Sequence, residues 1–384
     1  MNQGRGDKVF ERLAQATKAG ATVRVERLFS GELLFERAAG QLRQGGRAML
    51  VGDRFHLASI AKTMTAAVVL QLAEEGSFGR HGIDATLAST GVFSDPVMAR
   101  LLVVDGRAQG DLLTLRHLLQ HTGGLRDAMV DDRHTLGGPA SDSLIGGLMG
   151  GRISPMHHWV PWDAKLIDVP EAGVLNYYLN EVAHAGLSVP GTAFHYSDTG
   201  YILLGLLIET VGGRPLHQAF RRRIFDPMGL DQTYLAYRGD PPELGADRFP
   251  ESEPWMGPMP CFSSGGNLSF DWAGGGVVTT AKELAAFLRG LLRGQLFATA
   301  ASLEEMNKFV RPKGLLAPRV GVGLGLFNTV HEGISLVGHS GAWGCKMFAT
   351  PEYDLLISGT LNNADVPEDW HVQLLKAFIT ASSS

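Results

Sequence analysis

The order of strand-like and helix-like segments is the feature that most restricts the fold of this chain. Alternating apolar runs lie on both sides of Ser30-Gly31 near the start and predict a hairpin, and "AMLVGDRF" predicts a third short strand after it. Further strand-like runs, from "VGLGLF" to "DLLISGTL", lie near the end. Between them, apolar residues recur at helical spacing and Gly/Pro-rich loops join the helices. We therefore expect an α/β domain that is built from both ends of the chain and interrupted by a helical segment.

The change of character near residues 76 and 265 predicts the boundaries of the two parts. Residues 1–76 and 265–384 are expected to form the discontinuous α/β subdomain, and residues 77–264 the mainly helical one. A chain of 384 residues, 45% of them hydrophobic, is large enough to bury a sizeable core.

Composition argues against several classes of partner. The net charge of −5 shows no basic excess, so neither nucleic acid nor an anionic membrane is expected to bind the chain. We see no run of about 18 apolar residues and no signal-peptide pattern at the start, which predicts a cytoplasmic protein. Cys261 and Cys345 lack the spacing of a zinc site or of a disulfide framework.

One serine and one lysine stand out in the stretch "FHLASIAKTMTAAVVLQLAEEG", residues 55–76. Ser59 and Lys62 are three positions apart, so on a helix their side chains face the same side. An apolar surrounding lowers the pKa of a lysine by desolvation, and a neutral amine beside a hydroxyl is a nucleophile–base pair. The alternative is that Ser59 caps the helix while Lys62 reaches solvent.

Two later stretches favour the catalytic alternative. "HYSDTGY" places Tyr196 and Ser197 before Asp198, which is predicted to cap a helix, and "GHSGAWG" places His339 in a glycine-framed turn. With S-x-x-K, these motifs follow the order of the penicillin-recognising serine hydrolases. From about residue 23 to 365 the chain resembles this family, most closely the class C β-lactamases and the esterases that share their fold.

The resemblance implies a fold and a set of roles. The fold is an antiparallel sheet flanked by N- and C-terminal helices, with an inserted, mostly helical part, so that residues 1–384 form one β-lactamase-like catalytic unit. Ser59 is the implied nucleophile, Lys62 its partner and Tyr196 the general base. The backbone N–H groups of Ser59 and Ala342 are the implied oxyanion hole. Lysine is expected to lower the pKa of the tyrosine, and the pair is expected to titrate as a unit.

The remaining substrate-binding positions include two departures from the family pattern. Asp198 stands where most members carry asparagine, and aspartate is expected to hold Lys62 in a more tightly charged state. His339, followed by Ser340, Gly341 and Trp343 of the third motif, stands where β-lactamases usually carry lysine. Histidine is mostly neutral at pH 7, so the recognition of an anionic β-lactam is expected to weaken.

Other readings of individual residues stay open. Trp159, Trp162, Tyr177 and Trp255 are candidate pocket walls, and a core or dimer-contact role explains them equally well. His117 and His121 have the spacing of a metal pair, although no H-E-x-x-H accompanies them and the resemblance assigns His121 to a structural turn. "GHSGA" nearly matches the G-x-S-x-G elbow, but a strand-like run follows it where an elbow requires a helix.

The sequence thus predicts a serine hydrolase that cleaves ester or amide bonds of a small neutral substrate through an acyl-enzyme, with a carboxylesterase as first choice. A β-lactamase or D-amino-acid peptidase or amidase, an acyltransferase, and a non-catalytic penicillin-binding-like receptor are the alternatives. We expect no cofactor and no metal. A small ester or amide is the expected partner, and a homo-oligomer stays open.

Overall fold

The computed structural model describes residues 2–17, 19–131, 136, 178–238, 251–263, 268, 270, 272–315 and 319–379. Its centre is a seven-stranded sheet with the order β10-β11-β12-β13-β14-β1-β2, in which every neighbouring pair is antiparallel. The strands of this sheet are β1 Ala21–Arg27, β2 Leu33–Ala39, β10 Val320–Val322, β11 Phe327–His331, β12 Ile334–Gly341, β13 Cys345–Thr350 and β14 Leu355–Thr360.

The two ends of the chain meet inside this sheet. Thr22 of β1 pairs with Thr360 of β14, and β1 continues into the predicted hairpin with β2. Both strands of the joining pair are buried along most of their length, as expected for strands covered on both faces. The predicted α/β class and the antiparallel sheet are confirmed, whereas the subdomain boundaries at residues 76 and 265 stay a prediction.

The third strand predicted near the start is shorter than expected and lies in another sheet. Only Phe55–His56 is extended, as β3, and it pairs with β9. The preceding residues turn instead, because the Asp53 carboxylate accepts a hydrogen bond from the Leu50 N–H and binds the Arg47 guanidinium. The remaining short strands are β4 Val103–Val104, β5 Arg107–Ala108, β6 Tyr234–Leu235, β7 Trp255–Met256, β8 Met259–Pro260 and β9 Val277–Thr279.

Helices cover both faces of the seven-stranded sheet. The terminal helices α1 and α11 share one core with the sheet, in which Phe10, Phe35 and Phe378 pack ring against ring. The other face packs against α9 and the helical part of the chain. The helices are α1 Asn2–Ala16, α2 Ala61–Glu74, α3 Asp95–Leu101, α4 Leu115–Leu119, α5 Asp198–Gly212, α6 Leu216–Phe220, α7 Asp226–Met228, α8 Trp272–Gly275, α9 Ala281–Leu292, α10 Ala300–Met306 and α11 Trp370–Leu375.

Two of the longer helices are enclosed on all sides. Every residue of α2 from Ala61 to Leu72 is buried, and so is every residue of α5 from Thr199 to Ile208. A helix that is apolar all round lies inside a protein or a membrane. Within the described ranges, no helix is both long and apolar enough to cross a bilayer. The enclosure of α2 therefore places any polar side chain of its first turn in the core, where it needs a partner.

Candidate active site

Ser59 lies in a short turn that joins a strand to the buried helix α2. The 3₁₀ turn Ala58–Ile60 follows β3 and leads directly into α2. The N–H of Leu57 donates to the Val277 carbonyl at 2.8 Å, which fixes the start of this turn on the neighbouring strand. Ala58 has a φ of 47°, an uncommon value for a residue with a side chain. Packing thus holds Ser59 at the N-terminal end of a helix, where negative charge is favoured.

The Lys62 ammonium reaches Ser59, as the spacing predicts. Its Nζ donates to the Ser59 hydroxyl at 3.0 Å and to the Gly274 carbonyl at 2.9 Å, and it forms an ion pair with the Asp198 carboxylate. The Lys62 side chain has no exposed surface. Enclosure in α2 gives the lysine its desolvated surroundings, so the alternative in which Lys62 points to solvent is wrong.

Asp198 has a different role from the predicted helix cap. Ser197 is the N-cap residue of α5 and makes no side-chain cap hydrogen bond, while Asp198 is the first helical residue. The Asp198 carboxylate pairs with Lys62 instead. A fully buried ammonium without a counter-charge costs several kcal/mol, roughly more than the loss of one cap, so the ion pair prevails over capping.

Tyr196 lies beside this ion pair. Its hydroxyl is buried, and the Lys62 Nζ is 5.1 Å from the centre of its ring. Burial raises the pKa of the phenol above its usual value near 10, and the neighbouring Lys62 charge and Ser59 hydroxyl lower it by less. The expected effect of lysine on the tyrosine is therefore present, but desolvation outweighs it.

His121 supports Tyr196 from the side. The two rings stack with their centres 4.2 Å apart, and the His121 Nδ1 accepts a hydrogen bond from the Ser197 N–H at 3.1 Å. Burial lowers the pKa of His121 well below 6.5, and the charge of Lys62 lowers it further. The sequence motif "LLQHTGGL" indicated a structural turn around His121, but not that its ring would lie against the predicted base.

The third motif runs along β12, so His339 lies within a strand and the predicted glycine-framed turn is wrong at this position. The strand ends close to the Ser59 turn. Gly341 is the last residue of this strand, and a methyl group at that position would lie 2.1 Å from the Leu57 carbonyl oxygen. Only glycine allows this approach without a shift of the backbone. Ala342 follows at the surface, and Trp343 is buried in the main core. The structure thus brings the predicted oxyanion-hole segments together.

His339 is buried among apolar and cationic neighbours. Its ring lies edge-on to Phe327, 5.0 Å between centres, and its Nδ1 is 2.7 Å from the Ser340 carbonyl oxygen. Burial, followed by the charge of Lys62, lowers the pKa of His339 to about 3. The expectation of a neutral imidazole at this position agrees with the direction of that shift.

Lys346 is a charged residue beside the third motif that the sequence motifs do not indicate. Lys346 lies directly opposite Ser340 in the β12–β13 ladder, and its ammonium donates to the Ser340 hydroxyl at 3.0 Å. It also pairs with Glu368 at 2.9 Å. The run "CKMFAT" indicated a strand, but the pairing of Lys346 with Ser340 depends on the strand register, which the sequence does not state.

Of the four residues predicted to form an aromatic pocket wall, the described ranges include Trp255 alone. Trp159, Trp162 and Tyr177 lie outside the described residues. Trp255 is buried in β7, and its N–H donates to the Asn362 carbonyl at 2.9 Å. That contact joins Trp255 to the turn after β14, and no contact of the described residues places it beside Ser59.

The alternative of a histidine metal pair has no support in the structure. The His117 Nδ1 accepts the Thr114 N–H in a capping box, and the His121 Nδ1 is occupied by the Ser197 N–H. Across the part of the chain that the structure describes, no three histidine, cysteine or carboxylate side chains gather as they would around a metal ion.

Comparison with known proteins gives the same family as the resemblance of the sequence motifs. The beta-lactamase family model matches residues 9–380. Penicillin-binding protein 4* of Bacillus subtilis (strain 168) is 26% identical over 345 residues, or 87% of this chain and 65% of the relative. Esterase EstB of Burkholderia gladioli is 31% identical over 227 residues, or 58% of this chain and 49% of the relative. The chain thus spans half to two thirds of the length of these relatives.

A solved structure shows the same fold along the whole chain. The D-stereospecific amidohydrolase from Streptomyces sp. superposes with a TM-score of 0.73 at 23% identity, covering 100% of this chain and 99% of that one. In this chain, the serine of the turn before α2, the lysine three residues later, the tyrosine ahead of α5 and the motif on β12 lie together. The chain belongs to the beta-lactamase family.

Proposed function

We propose that this protein is a carboxylesterase that hydrolyses small neutral esters, and amides more slowly, through an acyl-enzyme on Ser59. The observation that carries this proposal is the 3.0 Å contact between the Lys62 ammonium and the Ser59 hydroxyl inside the buried start of α2. After Lys62 loses one proton, its amine can accept the Ser59 proton at this contact, which is the minimum for covalent catalysis. Tyr196 provides the second member of the base.

The proposed reaction has two steps. The Lys62–Tyr196 pair first loses one proton to solvent. The Ser59 oxygen then forms a bond to the substrate carbonyl carbon while the pair takes the Ser59 proton. The backbone N–H groups of Ser59 and Ala342 stabilise the oxyanion, and the pair then returns the proton to the departing alkoxide. Water next attacks the acyl carbon, gives one proton to the same pair, and releases the acid as Ser59 regains its hydrogen.

The electrostatics of the site favour neutral substrates. Lys62 is paired with Asp198, Lys346 is paired with Glu368, and burial favours the neutral form of His339. An anionic substrate would therefore meet paired lysines near the third motif rather than an unpaired charge. The identity of 31% with an esterase supports the ester assignment.

An amidase is the second candidate. The D-stereospecific amidohydrolase from Streptomyces sp. has the same fold over the full length of both chains. Amides need more help with the leaving group than esters do, because the departing amine must be protonated before the carbon–nitrogen bond breaks. The same residues would serve both reactions.

The nucleophile can be tested by covalent labelling of the full chain. Intact-protein mass spectrometry with a fluorophosphonate should show one adduct on the unmodified protein and none on Ser59→Ala. The matched control is Ser340→Ala, which should keep the adduct, since the Ser340 hydroxyl accepts a hydrogen bond from Lys346. Labelling that is lost in Ser340→Ala and kept in Ser59→Ala would show that the nucleophile has been assigned wrongly.

The substrate class needs a second measurement. We expect kcat/KM for a short-chain p-nitrophenyl ester to exceed that for a penicillin and for a D-amino-acid amide. Faster turnover of the amide would favour the amidase, and faster turnover of the penicillin would contradict the preference for neutral substrates.

A further inference from the structure

The Asp198 carboxylate lies beside the proposed base pair of Lys62 and Tyr196 and forms an ion pair with Lys62. An asparagine at this position would be neutral and would not balance the charge of Lys62. We infer that Asp198 cancels the charge of Lys62 and thereby sets the pH at which the Lys62–Tyr196 pair becomes able to take the Ser59 proton. Asp198 is thus a positioning residue that acts through Lys62. The inference rests on the proposed function for the nucleophile, Ser59, and for the base, the Lys62–Tyr196 pair.

The geometry of Lys62 gives the first step of the argument. Its Nζ contacts the Ser59 hydroxyl, the Gly274 carbonyl and the Asp198 carboxylate. Of these three acceptors, only Asp198 carries a full charge. The Lys62 side chain has no exposed surface and that of Asp198 is 14% exposed, so water screens this ion pair weakly.

The uncharged neighbours of the pair define its electrostatic surroundings. His121 and His339 both lie close to Lys62, and burial favours the neutral form of each. The Tyr201 ring centre is 5.5 Å from the Lys62 Nζ, and its hydroxyl donates to the Leu119 carbonyl at 2.9 Å. Burial raises the pKa of Tyr201 above its usual value, which keeps this phenol neutral.

Two further aspartates lie on the same side of the site. Burial, together with the charge of Asp198, raises the pKa of Asp127 well above 3.8, so Asp127 favours its neutral form. The Asp131 carboxylate is 2.6 Å from the His195 Nε2 and also accepts the Asp127 N–H. Asp131 is therefore engaged with His195, whereas the Asp198 carboxylate contacts the Lys62 ammonium directly.

The charge balance determines the direction of the effect. When the Lys62–Tyr196 pair gives up one proton, the group of Lys62, Tyr196 and Asp198 changes its net charge from zero to −1. With asparagine at position 198 the same step would change the net charge from +1 to zero. The first change is harder in buried surroundings, whichever of the two residues loses the proton. Asp198 therefore raises the pH midpoint of the active form.

The size of the effect follows from the closeness of the charges. A unit charge at the distance of an ion pair moves the pH midpoint at which a buried group loses its proton by about one pH unit or more, even after partial screening. The deprotonated pair in an Asp198→Asn variant should also be a weaker base, so that its maximal rate at high pH should be lower.

The test is the pH dependence of fluorophosphonate labelling of Ser59, measured as a rate on the full chain from pH 5 to pH 10. We expect the midpoint for Asp198→Asn to lie at least about one pH unit below that of the unmodified protein. Asp198→Glu should keep the charge and stay closer to the original midpoint. The matched control is Asp127→Asn, a buried carboxyl replaced in the same surroundings, which should leave the midpoint unchanged.

Three outcomes would overturn the inference. An unchanged midpoint in Asp198→Asn would show that its charge does not reach the pair. A uniform loss of rate at every pH, again without a shift, would mean that Asp198 only holds Lys62 in place. A shift in Asp127→Asn without one in Asp198→Asn would assign the charge to the other carboxylate.

The experiment also separates this inference from the proposed function. Absence of labelling at Ser59 in the unmodified protein would count against the nucleophile itself, whereas labelling with an unchanged midpoint counts against Asp198. Asp198→Ser is the second uncharged variant, for the case in which Asp198→Asn does not fold. Circular dichroism and the free energy of unfolding identify that case before any rate is measured.

Discussion

The imidazole of His121 lies flat against the phenol of Tyr196, with 4.2 Å between ring centres and 24° between ring planes. Its Nδ1 also accepts the Ser197 N–H, so one side chain fixes both the ring of the proposed base and the backbone that follows it. His121 itself has a φ of 56°, which histidine, asparagine and aspartate adopt more readily than other residues.

Replacement of His121 should separate these contributions. In His121→Asn the side chain suits the backbone and keeps a hydrogen-bond acceptor but has no ring, so we expect near-normal stability and a fall in labelling rate of roughly 10- to 100-fold through misplacement of Tyr196. His121→Leu should in addition lose about 1–3 kcal/mol in the free energy of unfolding, because the buried Ser197 N–H loses its partner. Full activity in His121→Asn would mean that the stack does not position the base.

Lys62 and Tyr196 should behave as one unit in a double-mutant cycle. Lys62→Ala and Tyr196→Phe should each lower kcat by about 10²- to 10⁴-fold, and the double variant should lose far less than the product of the two, because either change alone disables proton transfer. The measurement is kcat for a nitrophenyl ester on all four proteins. Losses that multiply would assign the two residues to separate steps.

The ion pair between Lys346 and Glu368 leads to a prediction about substrate charge. Glu368 has an almost fully exposed side chain, 92%, so its pairing with Lys346 is partly screened by water. Glu368→Gln should free the ammonium beside Ser340 and raise kcat/KM for a penicillin, relative to a neutral ester, by up to about fivefold. Glu332→Gln, which removes another exposed ion pair, with Lys376, is the matched control and should leave the ratio unchanged.

His339→Lys should act in the same direction and more strongly. It places a permanent charge where the imidazole is neutral, and a unit charge at about 4 Å is worth up to about 4 kcal/mol before desolvation is subtracted. The measurement is kcat/KM for a neutral ester and a penicillin on both proteins at pH 7.5. Penicillin turnover that exceeds ester turnover in the unmodified protein would instead show that Lys346 already attracts the anion.

The close approach of β12 to the Ser59 turn should make Gly341 sensitive to a single methyl group. In Gly341→Ala the added carbon would meet the Leu57 carbonyl at 2.1 Å, so the strand and the turn must separate. A displacement of this kind moves the two halves of the proposed oxyanion hole apart, and we expect a loss in kcat of about 100-fold. Gly52→Ala, where the added methyl has no neighbour within 4 Å, is the matched control. Equal activity in both variants would contradict the placement of the oxyanion hole.

Buried histidines should make the protein sensitive to acid. Burial lowers the pKa of His56 to about 4 and that of His371 well below 6.5, so the native state stays neutral where the unfolded chain takes up protons. Their stabilising effect is complete above pH 6.5, and it is lost as the pH falls towards the pKa values of these histidines in the folded protein. Each such histidine should contribute a slope of about 1.4 kcal/mol per pH unit to the free energy of unfolding.

Denaturant unfolding between pH 4 and pH 8 measures that slope. His371 stacks on Phe348 away from Ser59, at 4.7 Å between ring centres, so His371→Phe should reduce the slope below pH 6.5 without changing the labelling rate. Replacement of the exposed His81 by asparagine is the control. An unchanged slope in His371→Phe would mean that His371 is protonated in the native state as well.

The sequence by itself determined the class of fold and predicted which residues form the candidate site. The alternation of the terminal runs, the apolar helix with Ser59 and Lys62, and the order of the three motifs are local patterns, and each survives in the structure. Two predictions were wrong because a carboxylate binds a partner that the local pattern does not indicate. Asp198 has the position of a helix cap, yet its carboxylate pairs with Lys62, and the strand expected before Phe55 gives way to a turn that Asp53 stabilises.

Only the tertiary structure decided which polar side chains contact each other and which rings pack together. The Lys346–Ser340 contact depends on the register of β12 and β13, and the His121–Tyr196 stack on the meeting of two loops far apart in the sequence. A pattern of residue types records which side chains prefer burial, but it does not record which of them meet. The electrostatic energy of a buried group depends on the distance to its neighbours and on their enclosure, and folding alone fixes both.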